Sequence, residues 1–200
     1  MRIYIGAREM LRGYKMYKLV TISDTIRVPP DRFEEPLKEV VHDVLRKTYE
    51  GLMDKDIGVV LAITEVKEIG VGRIIMGDGA SYHDVVFEAL VYKPEVNEVV
   101  LGEVVEIVEF GAFVRLGPVD GLVHVSQVMD DFVGYDKKKG ILYGKESKRS
   151  LKEGDKIRAR IVTVSMKKGA RAGKIGLTMR QPGLGKLEWI EEERKGGSSS

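Results

Sequence analysis

Tyr17 and Leu19, and then Ile22, Ile26 and Val28, alternate with polar residues, and this period of two predicts a strand that Pro29-Pro30-Asp31 ends. The period then changes. Phe33, Leu37, Val40, Val41, Val44 and Leu45 recur at helical spacing and predict an amphipathic helix ending near Gly51, with Pro36 accommodated in its first turn. His42, among these residues, reads as a position on the helix surface. Residues 57–66 form a β-branched run of strand length, and 73–76 and 82–92 follow as further strands, with Gly70, Gly72, Gly77 and Gly79 clustered between. The first half therefore reads β-α-β-β-β, an α+β sheet covered by one helix.

Lys93-Pro94 breaks the last of these strands, and the pattern beyond it differs. Five short strands, at 99–108, 112–116, 121–125, 156–164 and 174–179, come with no long helix among them, which fits a small closed barrel of the oligonucleotide-binding type. A polar excursion at 130–152 carries Lys137, Lys138, Lys139, Lys145, Lys148 and Arg149; a connection that long is usually functional or disordered. Residues 1–15 precede a second methionine, Met16, and read as an upstream or artificial extension set apart from the fold. Residues 16–96 form one domain, 97–182 the barrel, and 183–200 a tail whose Gly/Ser end reads as flexible.

Composition narrows the chemistry. No apolar run approaches the roughly 20 residues that span a bilayer, and residues 1–15 lack the apolar core of a secretory signal, so a soluble, cytoplasmic protein without membrane partners is expected. The absence of cysteine excludes disulfides, thiolate metal sites and a cysteine nucleophile. One Asn and two Gln beside 32% charged residues is a balance typical of proteins from very hot environments. The net charge of +2 hides an asymmetry: residues 16–97 carry 10 basic and 15 acidic side chains, residues 98–183 carry 16 and 11. A basic half beside an acidic half suggests that one faces a polyanion and the other a protein.

The informative stretch is Glu109-Phe110-Gly111-Ala112-Phe113-Val114 followed by Gly121-Leu122-Val123-His124-Val125-Ser126. Strand alternation would send Phe110 and Phe113 to opposite faces, whereas a bulge at Gly111 would bring both rings to one, where His124 could join them. Rings on a barrel face are platforms for bases, with Arg115, Lys174, Lys167, Lys168 and Arg171 as candidate phosphate contacts. The competing reading places both phenylalanines in the barrel core.

The run from Val104 through Phe110-Gly111-Ala112-Phe113-Val114, Gly121 to Ser126, Leu151-x-x-Gly154-Asp155 and Gly173-Lys174-Ile175-x-Leu177-Thr178 resembles the S1 domain, a barrel module that binds RNA. That resemblance implies single-stranded RNA held by Phe110, Phe113, His124, Ser165 and Lys174. Ser165 stands where the family has an acidic residue and Lys174 where it has arginine, so stacking carries over better than hydrogen bonding. Further upstream, Val28-Pro29-Pro30-Asp31-Arg32-Phe33, Ile69-Gly70-Val71-Gly72 and Gly77-Asp78-Gly79, with Val85 to Pro94, resemble the E-prime family of archaeal RNA polymerase stalk proteins, counterparts of the seventh subunit of eukaryotic polymerase II. This implies an N-terminal domain similar to a truncated ribonucleoprotein fold, followed by the S1 barrel. It also implies a stalk protein that pairs with the smaller F subunit of the polymerase, docks on the core and guides emerging transcript, with DNA near the transcription bubble a further candidate. Gly70, Gly72, Gly77, Asp78 and Gly79 are the expected docking positions, since loops without Cβ atoms allow close backbone approach. An S1 factor of translation initiation or of the RNA exosome is the alternative.

Catalysis has little to stand on. Neither glycine cluster completes a dinucleotide fingerprint, and Gly169 to Ile175 is one residue short of a P-loop. Three scattered histidines make a zinc site improbable, and Glu191-Glu192-Glu193 after Trp189-Ile190 suits a solvated helix. No enzymatic activity, cofactor or metal is expected.

Overall fold

In the computed structural model, which describes residues 3–9, 15–166 and 174–196, the alternating stretch before Pro29 is a long strand, β2 (Tyr17–Val28), preceded by β1 (Ile3–Glu9). Helix α1 (Leu37–Tyr49) follows, then β3 (Met53–Asp54), β4 (Gly58–Ile69), β5 (Arg73–Ile74) and β6 (Ser81–Tyr92). The sheet order is β1-β2-β6-β4-β3, all antiparallel, with β5 hydrogen-bonded to β6. Val40, Val41, Leu45 and Tyr49 lie on one face of α1 and are buried with Val20, Ile22, Phe87, Ala89 and Val91 of the sheet. Burial of such side chains, at about 1.5–3 kcal/mol each, stabilises a helix of this length far more than its propensities do. Tyr49 meets Phe87 edge-on, ring centroids 4.9 Å apart, and its hydroxyl donates to the Asp24 carboxylate. Burial would push that carboxyl up, but the hydrogen bonds from Tyr49 and the Thr25 N–H outweigh it and hold the group low.

Two expectations change here. The helix starts after Pro36, not near Phe33: Pro36 sits at the N-cap with ψ 118°, and Pro30–Arg32 instead form a short 3-10 turn that leaves Phe33 half-exposed. Residues 3–9, expected to stand apart from the fold, pair with β2 from Lys18 to Ser23, covering what would otherwise be an open edge.

The chain divides into two units at Lys93 and Pro94. In the second, β7 (Val99–Val108), β8 (Gly111–Arg115) and β9 (Asp120–His124) form a meander; β10 (Val133–Asp136), β11 (Ile141–Gly144) and β12 (Ser150–Lys152) form a separate three-stranded sheet; β13 (Lys156–Ser165), β14 (Lys174–Thr178), β15 (Gly185–Lys186) and α2 (Leu187–Gly196) complete it. Closure comes from β13, which pairs with both β7 and β14, while β14 runs parallel to β9. Register shifts at Val104/Glu106 and Ile161/Thr163 supply the coiling that a five-stranded barrel needs. Val104, Ala112, Val114, Val123, Ile157, Ala159, Ile161, Ile175 and Leu177 fill the interior. Asp155 ties the end of the barrel: Val104 N–H donates to its carbonyl, and its buried carboxylate accepts from Lys152 N–H and sits 3.1 Å from the Lys186 ammonium. The 130–152 segment, expected as a long connection, is thus strand-forming, with Leu142 and Leu151 wholly buried. The acidic run after Trp189 is helical, as expected.

Candidate nucleic-acid interface

Strand alternation sorts the barrel residues into two sets. Ala112, Val114, Gly121, Val123, Ile175 and Leu177 point inward, so Phe113, Arg115, Asp120, Leu122, His124, Lys174 and Gly176 lie on the outer face. The register aligns them in rows. Phe113 faces Leu122, Leu122 faces Gly176, and Gly176 faces Thr163; one row along, Arg115 faces Asp120, and Lys174 faces Ser165.

Phe110 precedes β8 in the turn from β7, yet its ring joins this face: it meets Phe113 edge-on, centroids 6.2 Å apart and planes at 86°. Gly111 makes that possible. Its φ is +156°, and a Cβ there would overlap the Val123 carbonyl oxygen and stand 3.1 Å from His124 Cα, so β8 can close on β9 only without a side chain. The Phe110 carbonyl accepts from Val125 N–H at 2.8 Å, fixing the turn. Phe110 remains 51% exposed and Phe113 half-buried, so neither ring belongs to the barrel core.

His124 caps the short 3-10 turn Val125–Gln127. Ser126 N–H donates to His124 Nδ1 at 3.3 Å, with the Ser126 hydroxyl at 2.9 Å. A backbone N–H can only donate, so Nδ1 is the acceptor and the neutral ring carries its proton on Nε2, facing solvent as a free donor. Asp120 does not reach this histidine; it pairs with Arg115 at 3.5 Å. Arg115 is therefore shared between an acidic neighbour and any bound anion, whereas Lys174 has no ion-pair partner among the described residues. Lys167, Lys168 and Arg171 lie outside the described residues. Leu122 and Thr163, which sequence reasoning passed over, complete the middle of the face, one apolar and one with a hydroxyl; the alternation that places His124 outside also places Leu122 there.

The glycine cluster of the first unit resolves into two kinds of position. Gly72 is packed, with a Cβ that would fall 2.6 Å from the His83 ring, and Gly70 binds Asp84 through its N–H and His83 Nδ1 through its carbonyl. Gly77 and Gly79 are open turn positions with positive φ. Asp78 between them takes a bidentate contact from Arg27, at 2.6 and 2.9 Å, and accepts from the Tyr82 hydroxyl. Around this framework Val71, Ile74, Ile75 and Met76 are exposed, Met76 completely. Among the described residues no cluster of His, Asp and Glu is arranged to hold a metal, and no helix is long and apolar enough to cross a membrane.

Comparison with known proteins agrees with both units. Residues 23–79 match the family described as the SHS2 domain found in the N terminus of Rpb7p/Rpc25p/MJ0397, and residues 93–174 match the S1 RNA binding domain. The chain is 48% identical over 180 residues to DNA-directed RNA polymerase subunit Rpo7 of Saccharolobus shibatae, spanning 90% of this chain and 100% of that one. Identity to the subunit of the same name from Sulfolobus acidocaldarius is 48%, over 89% of this chain and 97% of that protein. A fission-yeast relative, DNA-directed RNA polymerase III subunit rpc8 of Schizosaccharomyces pombe, is 33% identical over 54% of this chain and 53% of its own. The similarity runs through both units and not through the S1 barrel alone, and on that ground the chain belongs to the family of the archaeal DNA-directed RNA polymerase subunit Rpo7.

Proposed function

We propose that this chain is a non-catalytic stalk component of an archaeal, cytoplasmic RNA polymerase: it docks on the core through its first unit, pairs with the small F subunit, and holds emerging single-stranded RNA on its barrel. The observation that carries the RNA-binding part is the outer face of β8, β9 and β14, where Phe110 and Phe113 present two rings on the same face as the Nε2–H of His124 and as Lys174, which has no ion-pair partner among the described residues. Rings of this kind take bases of any sequence, at about 1–3 kcal/mol per stack, and the cations make the binding fall with salt. Ser165, opposite Lys174, offers a hydroxyl in place of a carboxylate, which favours sequence-tolerant contact. Support for docking is the tip held by Gly70, Gly72, Gly77, Asp78 and Gly79, which displays four large apolar side chains to solvent, a pattern that marks interaction surfaces.

The test is ultraviolet crosslinking in the host followed by purification of the chain. The expected result is recovery of the large polymerase subunits with one small partner, and RNA attached to the peptides carrying Phe110, Phe113 or His124. Recovery of ribosomal or exosome proteins in their place would overturn the polymerase reading.

A further inference from the structure

The segment between the 3-10 turn Val125–Gln127 and β13 has features that the barrel face does not explain. Within residues 130–152 there are seven basic and four acidic side chains. Three of the four acids are occupied by their own surroundings. Asp131 accepts from the N–H groups of Glu146 and Ser147 and from the Ser147 hydroxyl. Asp136 accepts from the N–H groups of Lys138 and Lys139, and Asp130 is bound by Arg180. The lysines are not neutralised in return: Lys137, Lys138, Lys139, Lys145 and Lys148 have no ion-pair partner among the described residues. The acids thus rigidify the turns, and the turns hold the ammonium groups in solvent.

Aromatic rings stand among these cations. In the sheet β10-β11-β12, Leu142 and Leu151 face inward and are buried, so their neighbour Tyr143 faces out, opposite Gly134 on one side and Ser150 on the other. A Cβ on Gly134 would fall 2.6 Å from Tyr143 Cζ and 3.0 Å from Cε1, so the glycine leaves room for the ring to lie across the strand. Phe132, 75% exposed, projects just before β10, and its carbonyl accepts from Lys145 N–H at 3.0 Å. A patch meant for an acidic protein needs only the cations; rings displayed beside free cations are what a single strand uses for its bases and phosphates together. The patch is also joined to the barrel face. Arg180 donates to the Ser126 carbonyl at 3.3 Å and binds Asp130, so the segment departs beside the serine that orients His124.

We propose that the β10-β11-β12 sheet is a second contact for single-stranded RNA, continuing the strand's path beyond the barrel face, an inference that rests on the RNA-binding reading of that face. Tyr143 and Phe132 stack bases, and the Lys137–Lys139 turn with Lys145 and Lys148 follows the backbone.

The test is fluorescence anisotropy on the full chain with labelled single-stranded RNAs of about 6 and about 20 nucleotides, lengths chosen to fill one barrel or to run past it. A Lys137→Gln/Lys138→Gln/Lys139→Gln variant and a Tyr143→Ala variant are compared with the unaltered chain. The substituted lysines are exposed, and Asp136 caps the turn through backbone N–H groups that glutamine retains. The expected result is that the triple variant weakens the long RNA roughly tenfold or more and lowers its log–log salt slope by about 2, at about 0.7 per phosphate contact, while the short RNA is unaffected. Tyr143→Ala weakens the long RNA alone. Equal weakening of both lengths would show a diffuse field and overturn the proposal, as would no change in either. Displacement of the long RNA by polyglutamate as effective as by unlabelled RNA would assign the patch to an acidic protein and also overturn it. The barrel reading fails separately, if the short RNA does not bind and Phe113→Ala changes nothing; selective loss of the long RNA in the triple variant would still support the sheet.

Discussion

Gly111 lies opposite His124 across β8 and β9, and so close to the preceding Val123 that a Cβ on the glycine would overlap the valine's carbonyl oxygen. This contact sets the geometry of the whole candidate site, because the same backbone turn brings Phe110 round to Phe113. A Gly111→Ala substitution must push the strands apart and strain a φ of +156° that alanine rarely adopts. The expected cost is on the order of 3 kcal/mol, with RNA binding lost as the rings separate. Thermal melting of the variant reads the first effect and anisotropy the second; a stable variant that binds RNA normally would show that the close approach at Gly111, which takes the place of the expected bulge because β8 keeps regular register there, does not assemble the face.

The two rings separate stability from binding. Phe110 is 51% exposed, so Phe110→Ala should leave the melting temperature almost unchanged while weakening RNA by about 1–3 kcal/mol, up to roughly a hundredfold. Phe113 is half-buried against the face, so its truncation should cost both stability and affinity. If Phe110→Ala binds RNA as the unaltered chain does, the stacking role falls.

Most of this arrangement could be read from residue order, and the failures have physical causes. Strand β7 runs from Val99 to Val108, the bounds expected from its valine- and isoleucine-rich sequence, and the fold class follows from the change in period at Pro29 and again at Lys93-Pro94. The 130–152 segment was less legible because its strands are three or four residues long and its turns are lysine-rich, so only Leu142 and Leu151 mark a core. Phe33 fits the helical period but stands before Pro36, whose missing N–H and extended ψ start the helix one turn later. Pairings that depend on distant partners, such as Arg115 with Asp120 or Arg180 with Asp130, carry no local signature.

Lys186 and Asp155 form a buried pair, 10% and 6% exposed at their side chains and 3.1 Å apart, with Glu188 at 2.7 Å on the outer side. Burial alone would lower the ammonium's pKa; hydrogen bonds to Glu188 and Asp155 outweigh it and raise it. Lys186→Met should cost about 3 kcal/mol, because it strands a buried carboxylate. Adding Asp155→Asn should recover part of this, since the amide oxygen can still accept from Lys152 N–H without a charge to compensate. Denaturant unfolding of the two single variants and the double would measure the coupling; strictly additive losses would mean that the two groups do not interact.

Asp78 offers a pH test of the tip. The hydrogen bond from Arg27, then that from Tyr82, holds its carboxyl at about 2, below the ordinary 3.8. The same contact pushes the Tyr82 hydroxyl up. A depressed carboxyl contributes stability that is present above its ordinary value and lost as pH falls through its folded one. The tip should therefore stay pinned down to about pH 4 and loosen towards pH 2. An NMR titration of the Asp78 carboxyl carbon is expected to show a midpoint near 2; a midpoint near 3.8 would mean that the pair does not form in solution.

The exposed side chains that this framework displays should matter for association and not for folding. Ile74 is 73% exposed and Met76 fully so, and replacing both with serine should shift stability by no more than about 0.5 kcal/mol each. Burial in a docked complex is different: each large apolar side chain taken out of water stabilises by about 1.5–3 kcal/mol, so the double variant should bind a polymerase core at least tenfold more weakly. The rigid surroundings sharpen the expectation. Gly70 is bonded to Asp84 and His83, and Asp78 to Arg27, so the apolar side chains are held out in place instead of collapsing onto the sheet. Capture of core enzyme lacking this chain by the immobilised variant is the measurement. Undiminished capture by an Ile74→Ser/Met76→Ser chain would place the docking surface elsewhere on the molecule.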